Sequence, residues 1–189
     1  MTELFQLYRR VGKSDAELAA FLRENAGTAE ERDDLWLEYI ALVCGEDPVR
    51  AESLILSRRF HPWEGGEGKV TRLYKRIKIA LYEREKERGD LSAGIKKLRE
   101  ALTYPENLGE GKLILDTDND VHYFLGEGYE LSGNAEAARG EYALAARGNC
   151  TIADDVYYND TPTEYLYYIA KAHKKLGEKE LSLIHISEP

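Results

Sequence analysis

Residues 119–148 read NDVHYFLGEGYELSGNAEAARGEYALAARG. Gly133 and Asn134 divide the stretch into two helices, the glycine ending the first and the asparagine side chain capping the second. Gly126 is small before this turn, Ala138 and Ala145 are small after it, and Tyr129 and Tyr142 stand among them. The stretch is therefore predicted to be a helical hairpin.

The hairpin is one of a series. Gly45, Gly89, Gly133 and Gly177 are spaced by 44 residues, and each is followed by an acidic or amide residue: Glu46, Asp90, Asn134 and Glu178. Eight residues before each glycine stand Leu37, Leu81, Leu125 and Ile169; ten before stand Leu35, Ile79, Tyr123 and Tyr167. Five residues after the first three glycines come Arg50, Gly94 and Ala138; nine after, Leu54, Leu98 and Tyr142; twelve after, Ser57, Ala101 and Ala145. These offsets resemble the tetratricopeptide repeat. The copy near 75–105 keeps Gly94, Leu98, Ala101 and Pro105 but has Tyr82 at the small position. The copy near 31–58 departs furthest, and the one near 163–180 keeps Ala170 and His173. The period also departs from the usual unit of about 34 residues, leaving roughly ten extra loop residues per repeat. Residues 2–12 and 14–25 add two helices, because Leu4, Leu7, Tyr8 and Val11 recur at helical spacing. One helix pair cannot bury its apolar stripe alone, so neighbours stack. The expected fold is all-α: a right-handed α-solenoid of tetratricopeptide-like hairpins with long inter-repeat loops over residues 1–180. No linker rich in Pro, Gly or Ser divides it.

Composition narrows the partners. The 189 residues are 43% hydrophobic and 32% charged, and 35 acidic against 26 basic side chains give a net charge of -9. An acidic surface repels phosphate, which argues against nucleic acid and anionic membranes. No apolar run reaches transmembrane length. Two isolated cysteines, Cys44 and Cys150, form neither a disulfide framework nor a metal site, and they fit a reducing, cytoplasmic compartment. Residues 181–189, LSLIHISEP, resemble a translated transposase sequencing adapter. They are set aside as a non-native tail, with the expectation that partner domains are missing.

The extra loop residues follow a pattern. Residues 60–69 read FHPWEGGEGK and residues 104–112 read YPENLGEGK, so Pro62 and Pro105 each begin a Pro-x-x-x-Gly-Glu-Gly-Lys string. Equivalent loops of stacked repeats should lie side by side. Glycines bring backbone N–H groups close to a ligand, and Trp63 offers a flat amphipathic face. Glu64, Glu67, Glu106 and Glu110 are acceptors, and Lys69 and Lys112 are donors. Together with His61 and Asn107 they are the candidate binding residues, in a combination that suits a polyhydroxylated ligand such as a sugar. The plainer reading is that Pro and Gly shape a turn, Trp63 fills a gap and the glutamates cap the next helix. No cofactor is implied: in a phosphate-binding loop Trp63 would have to be glycine and Val70 Ser or Thr.

Asp116, Asp118 and Asp120, with Glu127 at the twelfth position, have the spacing of a calcium loop, but Val121 stands where such a loop needs glycine. Helix capping by Asp118 or Asn119, with Asp120 near the helix dipole, explains them without a metal. His61 and His122 are too scattered for a metal motif. Tyr157, Tyr158, Tyr165, Tyr167 and Tyr168 read as core and inter-repeat packing, some extending a stacking surface. The sequons at Asn149 and Asn159 are short enough to occur by chance.

The two loops together with residues 117–122, TDNDVH, resemble the C-terminal half of a family of large bacterial proteins. That family carries a conserved domain of unknown function, similar to galactose-mutarotase-like β-sandwiches, followed by tetratricopeptide repeats. The resemblance covers nearly all of residues 1–180 and implies a link to carbohydrate metabolism. Two functions follow as expectations. One is an interaction scaffold that docks a protein domain, including its own missing N-terminal domain. The other is a carbohydrate site completed by the missing β-sandwich, with Glu67 and Glu110 as the catalytic candidates, since a glycosidase needs two carboxyls roughly 5–10 Å apart.

Overall fold

The computed structural model describes residues 1–112, 116–148 and 162–178. The tail at 181–189, Cys150, Tyr157, Tyr158 and both sequons lie outside the described residues. Among the described residues there are ten α-helices, one 3₁₀ turn and no strand, so the chain is all-α. No helix among them is long and apolar enough to cross a membrane. The chain divides into two compact units, residues 1–80 with 104–111 and residues 81–103 with 112–189. The division falls within a helix rather than at a linker.

The first unit holds α1 (Thr2–Arg10), α2 (Asp15–Glu24), α3 (Ala26–Glu31), α4 (Asp33–Glu46), α5 (Pro48–Leu56) and the start of α6 (Lys69–Glu87). Ser14 and Glu17 form a reciprocal capping box at the start of α2, each side chain accepting the other's backbone N–H at 3.3 and 2.9 Å. Helix α4 buries Leu35, Leu37, Ile40, Val43 and Cys44, and packs against α2, α3 and α5. A helix so apolar on most faces has to be central. Burial pushes the Cys44 thiol upward in pKa, with Arg76 opposing. The apolar residues of α1 behave differently: Phe5 is buried, whereas Leu4, Leu7 and Val11 are exposed.

The second unit holds the end of α6, then α7 (Leu91–Ala101), α8 (Asn119–Leu131), α9 (Ala135–Ala145) and α10 (Thr163–Leu176). The expected hairpin turn recurs. Gly89, Gly133 and Gly177 have φ of 81°, 78° and 86°, and the N–H after each reaches back to a carbonyl of the preceding helix at 2.9 Å. These left-handed glycines close a helix end in the Schellman manner. Asp90 and Asn134 then cap α7 and α9 through Ala93 N–H and Ala137 N–H at 3.0 and 3.1 Å. The turn expected at Gly45 is different. Gly45 lies inside α4, and the cap is Asp47, whose carboxylate accepts from Val49 and Arg50 N–H with Pro48 opening α5. Proline at the first helical position supplies the stop that glycine supplies elsewhere.

The small positions are explained by what faces them. A Cβ on Gly126 would stand 2.6 Å from two ring carbons of Tyr142, so α8 and α9 meet with the ring in the glycine's place. In α6 and α7 the glycine stands elsewhere: Tyr82 occupies the position 44 before Gly126, and Gly94, 44 before Ala138, makes room for it, its added Cβ being 3.0 Å from the Tyr82 ring. Around this contact Tyr123, Ala138, Tyr142, Ala145 and Ala172 form one buried cluster. Of the residues ten before the glycines, Leu35 and Tyr123 are buried, but Tyr167 is 60% exposed.

Overpacking at such a contact costs about 1–3 kcal/mol. Gly126→Ala is therefore expected to lower the free energy of unfolding by that amount. Gly140→Ala, on the open face of α9 with nothing within 4 Å of an added Cβ, should raise it by about 0.5–1 kcal/mol. Denaturant titration of both variants checks the pair; equal effects would remove the steric account.

Candidate functional site

The two Gly-Glu-Gly-Lys loops meet inside the first unit, and backbone groups join them. Phe60 N–H donates to Asn107 O at 2.8 Å. The Asn107 amide, on the 3₁₀ turn Glu106–Leu108, donates to Ile55 O and Arg58 O, both at 2.9 Å, at the end of α5. These carbonyls have no intrahelical partner, so one side chain satisfies two acceptors. Gly109, at φ 72°, lies so close to Phe60 that a Cβ would stand 2.3 Å from Phe60 O. Only glycine fits there, on both conformation and space.

Glu110 closes the other end of the contact. Its Oε2 accepts from Gly68 N–H at 2.7 Å, just ahead of α6, where helical N–H groups lack partners. Burial pushes the Glu110 pKa up; the Gly68 bond and the Arg72 charge oppose, and Glu67 adds to the rise. Arg72 donates through Nε to Gly68 O at 3.1 Å and through Nη2 to Glu67 O at 3.3 Å, holding the loop from within the helix. Trp63 is half-buried against Gly66, where an added Cβ would stand 2.1 Å from its Cε2. The expected flat face is thus partly covered by the loop's own backbone.

The remaining candidates divide by exposure. Glu64, Glu67, Lys69 and Glu106 are exposed. His61 is exposed too, but Asp33 Oδ2 accepts its backbone N–H at 2.7 Å and lies 3.3 Å from its Nδ1. Lys112 belongs to the second unit and pairs with Asp118.

The aspartates are committed within the second unit. Asp118 is fully buried, has φ 48° and occupies the N-cap position of α8 without a side-chain capping bond. The expected cap by Asp118 or Asn119 is therefore corrected: the Asp118 carboxylate goes to Lys112, and the Asn119 amide donates to Ala145 O and Arg147 O at 2.7 and 2.6 Å. Asp116 accepts from the Tyr165 hydroxyl at 2.9 Å, and Asp120 from Val121 N–H at 2.9 Å. Burial and the three carboxylates push the Tyr165 phenol up. Among the described residues no cluster of three metal-ligating side chains is placed to hold an ion.

A second surface lies on α8 and α10. Tyr167 packs edge-on to Tyr168 with centroids 5.4 Å apart, and Tyr168 lies 5.8 and 5.7 Å from Tyr123 and Phe124. The Lys171 ammonium lies 4.3 Å from the Tyr123 ring centroid and 5.0 Å from that of Tyr167. A cation at that distance is attracted to the ring faces. The signal in sequence was Tyr167 and Lys171 at i, i+4, which by itself does not say which way the pair faces.

No family model matches the chain, and no solved structure matches it significantly.

The Glu110 pKa is raised from an ordinary 4.5. Its share of stability is thus present below 4.5 and is lost as pH climbs through the raised value. Glu110→Gln keeps an acceptor for Gly68 N–H without the charge. Its melting temperature should gain on that of the wild type as pH rises from 4 to 7; a constant difference would mean the carboxylate is not desolvated.

Proposed function

We propose that this chain is the helical-repeat interaction module of a larger, cytoplasmic bacterial protein. In this reading the tetratricopeptide-like hairpins stack as a right-handed solenoid, and the faces of α8 and α10 dock a protein segment. The observation that carries it is the placement of exposed aromatic surface. Tyr167 is 60% exposed beside Tyr168 and Lys171, whereas Trp63 of the loop edge is turned onto Gly66. Loop residues engaged in bracing are poorly available to a ligand, while a tyrosine-lined helix face is a common docking surface. The segment that fits presents an apolar side chain to Tyr167 and Tyr168 and a carboxylate to Lys171. In this reading a further domain of that larger protein is the source of it.

Peptide display against the full chain tests this directly. Selected peptides should lose binding by more than about tenfold on Tyr167→Ala or Lys171→Ala, the loss seen when an anchor is truncated. They should be indifferent to Glu67→Gln. Peptides that depend on the loop glutamates instead would overturn the assignment.

A second reading rests on a separate observation. Burial raises the Glu110 pKa, and the exposed Glu67 adds a smaller push in the same direction. A carboxyl whose pKa is raised, with a second carboxyl close enough to add to the rise, is the pairing that acid–base hydrolysis of a glycoside draws on. In this reading the loops form part of a carbohydrate site completed by a β-sandwich domain. With Trp36→Phe leaving Trp63 as the single tryptophan, oligosaccharide titration should give a saturable fluorescence change abolished by Glu67→Gln. No response from the folded protein removes the part of this reading that puts sugar contacts on these loops.

A further inference from the structure

Helix α1 is held to its unit on one side only. Phe5 is 1% exposed, Thr2 Oγ1 donates to Asp34 at 3.1 Å, and Arg9 donates to Glu38 at 2.8 Å, both acceptors on α4. The outward side carries Leu4, Leu7 and Val11, exposed by 41%, 53% and 65%. At 3.6 residues per turn these three fall within an arc of about 60°. Isolated surface leucines need no explanation, but a contiguous apolar stripe on a well-anchored helix marks a surface that becomes covered.

The charges beside the stripe say what covers it. Glu3 and Arg10 are exposed, seven residues apart, and share one flank. If a second α1 runs antiparallel about a twofold axis at Leu7, Leu7 meets Leu7, Leu4 meets Val11 and Glu3 meets Arg10 of the other copy. Each opposite-charge pair then occurs twice by symmetry. In a parallel arrangement the twofold runs along the helices, so the Glu3–Arg10 flank of one copy faces the opposite flank of the other and these charges do not meet. Flanking charges select orientation in this way in coiled coils, and an isologous contact needs such self-complementarity.

We infer that α1 is a self-association surface through which two copies of this chain pair antiparallel, by the Leu4–Leu7–Val11 stripe. It is distinct from the α8 and α10 surface and independent of the function assigned to it. A pair of nine-residue helices covers much less than the roughly 1,600 Å² of a standard interface, so the dimer is weak and exchanges rapidly.

Sedimentation velocity on the full chain, from about 10 μM to about 1 mM, covers the relevant affinities. The weight-average coefficient should rise toward the dimer value. Leu7→Glu should raise the dissociation constant by more than about tenfold. Because Leu7 is exposed, the monomer should keep its helical circular dichroism. Glu3→Arg and Arg10→Glu should each weaken association about threefold or more, as exposed ion pairs do. The double reversal recreates opposite charges across the twofold and should restore wild-type affinity. Three results overturn the inference: a monomer throughout, which leaves the stripe to a foreign segment; association insensitive to Leu7→Glu, which places it elsewhere; and a double reversal no better than the single variants, which removes the antiparallel register.

Discussion

The ring of Tyr142 fills the space where a side chain at position 126 would stand, and the second unit depends on that exchange of volume. With glycine at the crossing, α8 and α9 approach closely enough to bury Tyr142, whose apolar body contributes about 2 kcal/mol. The same approach brings the Tyr142 hydroxyl to Glu130 at 2.7 Å. Lys175 of α10 reaches the same carboxylate at 2.6 Å. Lys175 and then the hydroxyl hold Glu130 below the ordinary carboxylate range. One missing Cβ therefore sets both an apolar contact and the polar link by which α10 joins the pair. Across α6 and α7 the ring is Tyr82, 44 residues before Gly126, and the space for it comes from Gly94, 44 residues before Ala138, so the two helix pairs reach close approach with a glycine at different positions.

The second recurring device is an asparagine used as a brace. Asn107 in the first unit and Asn119 in the second each give their amide to two carbonyls at the end of a helix, α5 and α9 respectively. Such carbonyls are costly to bury unpaired, at about 1–3 kcal/mol each. A connection that must return to a helix end can satisfy them with one residue. This gives the long loops a structural purpose. Asn107, Gly109 and Glu110 hold residues 104–111 against residues 55–68, while Glu64, Glu67 and Lys69 are left at the surface.

Because the first loop is ordered by the second, surface residues on it stand on a supported backbone. Such support is needed by a binding loop and by a docking wall alike. What separates the two readings is where the aromatic surface is available, and that favours α8 and α10.

The sequence by itself determined the all-α class, the hairpin turns at Gly89 and Gly133 with their caps at Asp90 and Asn134, and the burial of Leu37, Leu81, Leu125 and Ile169. Each of these depends on residues within about one turn of one another or on a simple period. Even the turn that was misplaced, at Gly45, failed by two residues, because a capping Asp and a following Pro can do what a left-handed glycine does. Tertiary structure alone decided that Asn107, Asn119 and Glu110 serve as braces, that Asp118 faces Lys112 instead of capping α8, and which side of α1 and of α10 is left open. Those outcomes turn on partners 42 to 52 residues away for Glu110 and Asn107, and on which face of a helix its neighbours cover. A polar side chain carries no mark in sequence of the distant carbonyl or N–H it will satisfy, so its role is settled only when packing brings the two together.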